Sequence, residues 1–324
     1  MADAIRWGIL GTANIAKGHF MRAMGALDNS RAYAIASRDR GRAQQFATEC
    51  GVEEAYGSYE ELLSDPHVDA VYNPLPISLH AEWSIACAEA GKPCLCEKPL
   101  APNAADAQRM VDTFREHDVP FAEAIMYRFH PLQKKVEQMI GEGAIGEVRV
   151  VRASFCCKIE DEDDIRFRAE TGGGALLDVG SYCVSFVRHV VGEEPQQVGA
   201  TADFGERGEV DESLAGTLLF PGGAVASLAC SLRTEFASTY DIYGTDGRIV
   251  LPKGIVPNPG EEATLEYWQQ YECEQITLPG ADEWALAVED FADALLEGRP
   301  PATDPQDGVR SLEVIDSLLA AARA

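Results

Sequence analysis

Up to about residue 125 the chain alternates short apolar runs with segments of helical spacing. The runs are Ile5 to Leu10, Ala32 to Ser37, Ala70 to Asn73, Pro93 to Cys96 and Pro120 to Ala124, and the segments between them, such as Arg40 to Cys50 and Leu79 to Ala90, are amphipathic. This β-α-β alternation predicts a parallel, doubly wound sheet. From about Gly146 the texture changes to longer alternating runs: Glu147 to Cys157, Val198 to Phe204, Leu214 to Phe220, Ala224 to Leu232, Tyr240 to Tyr243 and Thr264 to Leu278. Turn chemistry at Phe220 to Ala224 and Gly244 to Gly247 predicts hairpins, so this half is expected to be a large, mostly antiparallel sheet. Helical stretches at Leu176 to Val191, Trp284 to Glu297 and from Asp307 onward complete it. The expected fold class is an α/β Rossmann doubly wound sheet, residues 1–124, followed by an α+β domain, residues 125–324, whose sheet has one open face. An open face of that size predicts burial against a second copy, as a homodimer or homotetramer.

Composition narrows the partners. The chain has 27 basic and 53 acidic residues in 324, a net charge of −26. Such an excess of carboxylates is repelled by nucleic acid and anionic membrane alike, so neither is an expected partner. No apolar run reaches the length of a membrane span, and the first ten residues lack a signal peptide's basic start, so a cytoplasmic protein is expected. The 9 cysteines form no disulfide framework, and neither they nor the 6 histidines fall at zinc-ligand spacing; no structural metal is expected. Arginine outnumbers lysine by 20 to 7, which together with the surplus acid points to a host with a salt-rich cytoplasm. The first 50 residues run against the trend, with seven basic and four acidic groups.

That local excess coincides with candidate chemistry. Directly after the first strand comes Gly8-Ile9-Leu10-Gly11-Thr12-Ala13-Asn14-Ile15-Ala16, where a dinucleotide-binding fold places its glycine-rich turn, so Gly11, Thr12, Ala13, Asn14 and Ile15 are expected against a pyrophosphate. Ala13 and Ala16 replace two of the fingerprint glycines, and a plain strand-to-helix turn is the competing reading. At the end of the second strand an NAD site places a carboxylate; here the residue is Ser37, followed by Arg38 and Asp39. Ser37, Arg38 and Arg42 fit a 2′-phosphate, which predicts NADP. Two alternatives remain: Asp39 serving a ribose, and the arginines forming a solvated face paired with Asp39 and Glu49.

Two further segments carry reactive groups. Cys96-Glu97-Lys98-Pro99 closes the fourth apolar run at the carboxyl end of the sheet, where ligands bind, and the proline holds Lys98 extended, with the Lys98–Pro99 peptide a candidate cis bond. In the other half, Gly172-Gly173-Gly174 precedes Ala175-Leu176-Leu177-Asp178-Val179-Gly180-Ser181-Tyr182. A helix beginning there places Asp178 and Tyr182, i and i+4, on one face.

Taken together, the near-N-terminal Gly-x-x-Gly turn, Glu-Lys-Pro and Gly-Gly-Gly-x-Leu-x-Asp-x-Gly-x-Tyr resemble the Gfo/Idh/MocA (glucose-fructose oxidoreductase) family over residues 5 to about 190. Most members have His at the last motif position; the Tyr182 variant, with Ser37-Arg38 and Glu123 to Arg128, resembles the branch of NADP-dependent xylose dehydrogenases, dimeric dihydrodiol dehydrogenases and sugar ketoreductases. The resemblance implies that Lys98 and Tyr182 are the chemical pair, with Tyr182 the proton-transfer group, and that Asp178 holds a neighbouring hydroxyl. It also implies that Pro74, Leu75, His80 and Glu97 line the cofactor, although a buried, satisfied His80 is an equal alternative. Arg128 is read as a cofactor or substrate contact, or as an ion pair between the halves. The function so implied is NADP-dependent oxidation of an aldose, xylose or glucose, to a lactone. The alternatives are a ketosugar reductase or trans-dihydrodiol dehydrogenase, and an NADP-binding regulator without turnover.

Overall fold

The computed structural model describes residues 4–254 and 259–324. The chain forms two compact units, Met1–Met126 with Glu283–Val309, and Tyr127–Asp282 with Arg310–Ala324.

The first unit is built on six parallel strands: β1 (Ile5–Leu10), β2 (Ser30–Ala36), β3 (Glu54–Tyr56), β4 (Ala70–Asn73), β5 (Cys94–Glu97) and β6 (Phe121–Ala124). Their order is β3-β2-β1-β4-β5-β6. The central strands are buried along nearly their whole length, which is why they read as unbroken apolar runs: a parallel sheet is covered on both faces. The order reverses between β1 and β4, and in such sheets ligands bind beyond the carboxyl ends of the strands at that reversal. β3, which the apolar pattern does not reveal, is a three-residue edge strand that is only partly buried. Side-chain caps define several helix starts. Asn103 accepts from the Asp106 amide at the head of α5 (Ala104–Glu116), a contact worth about 1 kcal/mol. The late helix α8 (Glu283–Glu297) belongs to this unit, its Phe291 ring 5.6 Å from that of Trp7.

The second unit carries an eight-stranded sheet in the order β14-β13-β12-β11-β7-β10-β9-β8. The strands are β7 (Val148–Lys158), β8 (Gln197–Asp203), β9 (Ser213–Leu219), β10 (Val225–Ser231), β11 (Arg233–Gly244), β12 (Arg248–Leu251), β13 (Ala263–Gln269) and β14 (Glu272–Leu278). All neighbours are antiparallel except β7 and β10, which run parallel. The run expected as one strand from Thr264 to Leu278 is two, folded back at Gln270 and Tyr271, both with positive φ. Alternation of burial along β9, and along β10 as far as Cys230, shows one packed face, covered by α7 (Ser181–Val191) and the C-terminal α9 (Pro305–Arg323). On the other face Arg152, Ser154, Thr201, Thr217, Ser227 and Thr239 line a shallow concavity of about 760 Å³. Among the described residues no helix is long and apolar enough to cross a membrane.

Candidate active site

At the carboxyl end of β1 the chain makes the turn expected for a phosphate. Gly11 has φ +79°, and its amide donates to the Ala36 carbonyl at 2.8 Å. A Cβ at this position would lie 2.8 Å from Leu75 Cδ2, so only glycine fits both the backbone and the space. Thr12, Ala13 and Ile15 are half-buried and Asn14 is exposed, leading into a π-helical turn over Ala16–Phe20 and then α1 (Met21–Met24). The leading amides of such a segment have no partner within the helix and are available to an anion.

The end of β2 leads into a capped helix. The Asp39 carboxylate accepts through one oxygen, Oδ1, from the amides of Gly41 at 2.7 Å and Arg42 at 3.2 Å, capping α2 (Arg40–Cys50). Ser37 is buried, and its Oγ accepts from the Asp39 amide at 3.3 Å. Arg38 and Arg42 are exposed. Of the surface pairs anticipated for these arginines, Arg40 does bind a carboxylate, but that of Glu61 at 2.7 Å, while Glu49 is held by Lys17 at 2.6 Å. A residue without a sequence signal joins them: Tyr59, at the head of α3 (Tyr59–Leu63). Its hydroxyl lies 3.8 Å from the position of a Gly11 Cβ, with the Arg38 charge nearby. Burial pushes that phenol's pKa up, and Arg38 opposes the rise.

Beyond β4 and β5, one buried side chain lies between two loops. His80, which opens α4 (His80–Glu89), is only 1% exposed, with Nδ1 3.0 Å from the Pro99 carbonyl and Nε2 2.7 Å from the Leu75 carbonyl. It therefore follows the buried, satisfied reading and backs the loops instead of lining a ligand surface. Burial drives its pKa down to about 4, and the nearby Lys98 charge adds to the shift. Pro74 and Leu75 are buried beside it. Glu97 is also buried, accepts from the Tyr72 hydroxyl at 2.7 Å, and is pushed by burial to a pKa of about 7. Lys98 follows at a bend, half-exposed, and the Lys98–Pro99 peptide is cis.

In the second unit Asp178 lies within a π-helical turn, Leu176–Gly180, that runs directly into α7, where Tyr182 is 8% exposed. π-turns inside helices occur preferentially at functional positions. The start of this helix is fixed by Asp211, whose carboxylate accepts from the Leu176 amide and whose carbonyl accepts from Ala175, both at 2.7 Å. Burial raises the Asp211 pKa to about 6. Gly174, at φ +123°, passes so close that a Cβ would lie 2.5 Å from Asp211 Oδ1. The Tyr182 ring is walled by Tyr127, with centroids 6.2 Å apart, and by Phe155, 5.4 Å away; Phe155 in turn meets the exposed Phe236 at 6.0 Å. Arg128 Nη2 donates to Ser185 Oγ at 3.2 Å, alongside a 3.0 Å contact of that hydroxyl with the Tyr127 hydroxyl. Asp178 accepts from Arg166 Nε at 2.7 Å, a pairing the sequence does not signal. Among the described residues no group of three or more His, Cys, Asp or Glu is arranged to hold a metal ion.

Comparison with known proteins adds to this geometry. Residues 5–124 match the oxidoreductase family with NAD-binding Rossmann fold, and residues 133–250 match the GFO/IDH/MocA C-terminal domain. The chain is 37% identical to a D-xylose 1-dehydrogenase (NADP(+)) of Haloferax volcanii, covering 96% of this chain and 95% of that one. It is 34% identical to the dTDP-3,4-didehydro-2,6-dideoxy-α-D-glucose 3-reductase of Actinomadura kijaniata, covering 99% and 97%. The crystal structure of KijD10, a 3-ketoreductase from Actinomadura kijaniata, with NADP and TDP-benzene superimposes with a TM-score of 0.93 at 33% identity, covering 98% of both chains.

Proposed function

The chain belongs to the GFO/IDH/MocA oxidoreductase family, and on that premise we propose that it is an NADP-dependent dehydrogenase that oxidises an aldose, xylose or glucose, at C1 to the lactone. The observation that carries the cofactor half of this reading is that the end of β2 is followed by Ser37 and exposed Arg38, a hydroxyl and a cation suited to a 2′-phosphate. The cradle at Gly11, which a side chain would fill, fits a pyrophosphate. Gly11 to Ile15, Ser37, Arg38, Arg42, Pro74 and Leu75 would hold the cofactor, with Arg128, Glu97 and Lys98 toward its reactive end. Bound there, NADP supplies the hydride acceptor.

The remaining chemistry belongs to the protein. Tyr182 takes the proton of the C1 hydroxyl during oxidation and returns it during reduction. A phenol with an ordinary pKa of about 10 is a poor base at neutral pH, and this reading assigns to Lys98 the role of the ammonium that would favour its ionised form. Asp178 accepts from the hydroxyl next to the reacting carbon and so fixes the sugar's orientation. Similarity to the xylose dehydrogenase supports the aldose as substrate. Similarity to the 3-ketoreductase supports a second reading, reduction of a ketosugar by the same groups. The open face of the eight-stranded sheet pairs with a second copy of the chain.

Incubation with NADP⁺ and a panel of aldoses, following NADPH absorbance, tests the reading. Turnover with xylose or glucose and lactone in the product support it. Turnover only with NADPH and a ketosugar replaces it with the second reading, and NADP binding with no turnover in either direction refutes both.

A further inference from the structure

Asp178 and Tyr182 do not stand alone on their helix. Arg166, in the loop between β7 and the glycine run, donates from Nε to Asp178 Oδ2 at 2.7 Å and from Nη1 to both oxygens of Asp164 at 3.1 Å. The guanidinium is thereby held between a carboxylate of its own loop and one of the helix, and those two charges raise its pKa, Asp178 most. Its backbone is fixed as well. The Arg166 amide donates to Asp164 Oδ1 at 2.9 Å, and its carbonyl accepts from the Gly174 amide at 2.9 Å. The next residue, Phe167, is 2% exposed beneath the Arg233 guanidinium, which lies 4.0 Å from its ring centroid and is itself gripped by Glu162 and Glu212. The acidic run Glu160 to Asp164 therefore holds arginines at three points: Arg233 at Glu162, Arg168 at Asp163 and Arg166 at Asp164.

A pair so braced has a purpose beyond local stability. A carboxylate that orients a substrate hydroxyl must be ionised and must present a fixed direction, because a misdirected acceptor loses the benefit of positioning. We propose that Arg166 is a positioning residue that locks the Asp178 carboxylate, and that this lock makes the enzyme discriminate for a hydroxyl on the carbon beside the reacting one. The second half of the proposal rests on the sugar-dehydrogenase reading; the first does not.

The test compares wild type, Arg166→Gln and Arg166→Lys on the preferred aldose and on its 2-deoxy counterpart. For Arg166→Gln, kcat/KM on the aldose falls about tenfold or more, the scale of one hydrogen bond to a charged group, while the 2-deoxy sugar stays within about threefold of wild type. Arg166→Lys recovers part of the loss, and NADP affinity is unchanged in both variants. Equal losses on the two sugars, or no loss on either, overturn the assignment. The lock itself is read without turnover: the Arg166 Nε–H resonance is protected from solvent exchange in wild type and loses that protection in Asp178→Asn. Unchanged protection refutes the lock, whereas protection lost as expected together with a wild type inactive on every sugar refutes only the sugar-dehydrogenase reading and the discrimination built on it.

Discussion

Replacing His80 by alanine perturbs stability in a way whose size and pH dependence can both be worked out. The imidazole lies between the Leu75 and Pro99 carbonyls and is 1% exposed. With a pKa near 4 it is neutral at pH 7, so it donates to one of these two carbonyls. Removing it strands that carbonyl, at about 1–3 kcal/mol, and leaves a buried hole of ring size that adds about 2 kcal/mol, so the variant is expected to be less stable by about 3–5 kcal/mol at pH 7. The pH dependence follows from linkage. A histidine whose folded pKa lies below its unfolded value of 6.5 stabilises the fold fully above 6.5, and this contribution is lost as pH falls toward 4. By pH 5 the unfolded chain has taken up a proton that the folded one refuses, which lowers wild-type stability by about 2 kcal/mol. The variant lacks this group, so its deficit shrinks by that amount between pH 7 and pH 5. Glu97 and Asp211, whose pKa values are raised, act in the opposite direction but equally in both proteins. Urea melts of both proteins at the two pH values measure the difference. A deficit of the same size at both values refutes the neutral, buried assignment, and a deficit below about 1 kcal/mol refutes the hydrogen bond to the carbonyl.

Three other outcomes follow from the structure. Arg38→Ala is expected to weaken NADP by about tenfold or more and NAD by much less, read by fluorescence titration; equal loss for both removes the 2′-phosphate argument. Gly174→Ala forces a side chain into φ +123° and against the Asp211 carboxylate, lowering stability in urea by about 1–3 kcal/mol or more; a neutral effect contradicts the close packing at the head of the Tyr182 helix. Thr217→Arg places a charge on the open face of the eight-stranded sheet, and sedimentation is expected to show a wild-type oligomer that dissociates in the variant; a wild-type monomer refutes the pairing of that face.

The sheet of the first unit was legible because fully buried strands leave unbroken apolar runs, and Ile5–Leu10 and Ala70–Asn73 end where the pattern ends. Glu54–Tyr56 left no such mark, since a short, partly buried edge strand has neither a run nor an alternation to display. In the second unit the reversal at Gln270 and Tyr271 was hidden because residues that rarely take positive φ make the turn. The glycine turn, Lys98, Asp178 and Tyr182 announced themselves by residue type at fixed offsets. What pairs with them did not: Tyr59 beside Arg38 and Arg166 on Asp178 are meetings of side chains 21 and 12 positions apart, set by how loops fold back. Asp39 has a role that its type also suits, capping the helix it precedes through one carboxylate oxygen.

The claim on which the account stands is that the phenol of Tyr182 carries the proton. Single-turnover reaction of Tyr182→Phe with NADP⁺ and the preferred sugar tests it most directly, because the substitution removes one oxygen from a ring whose aromatic neighbours remain. The account predicts unchanged NADP affinity and a rate lower by about a hundredfold or more. A rate within about threefold of wild type contradicts it.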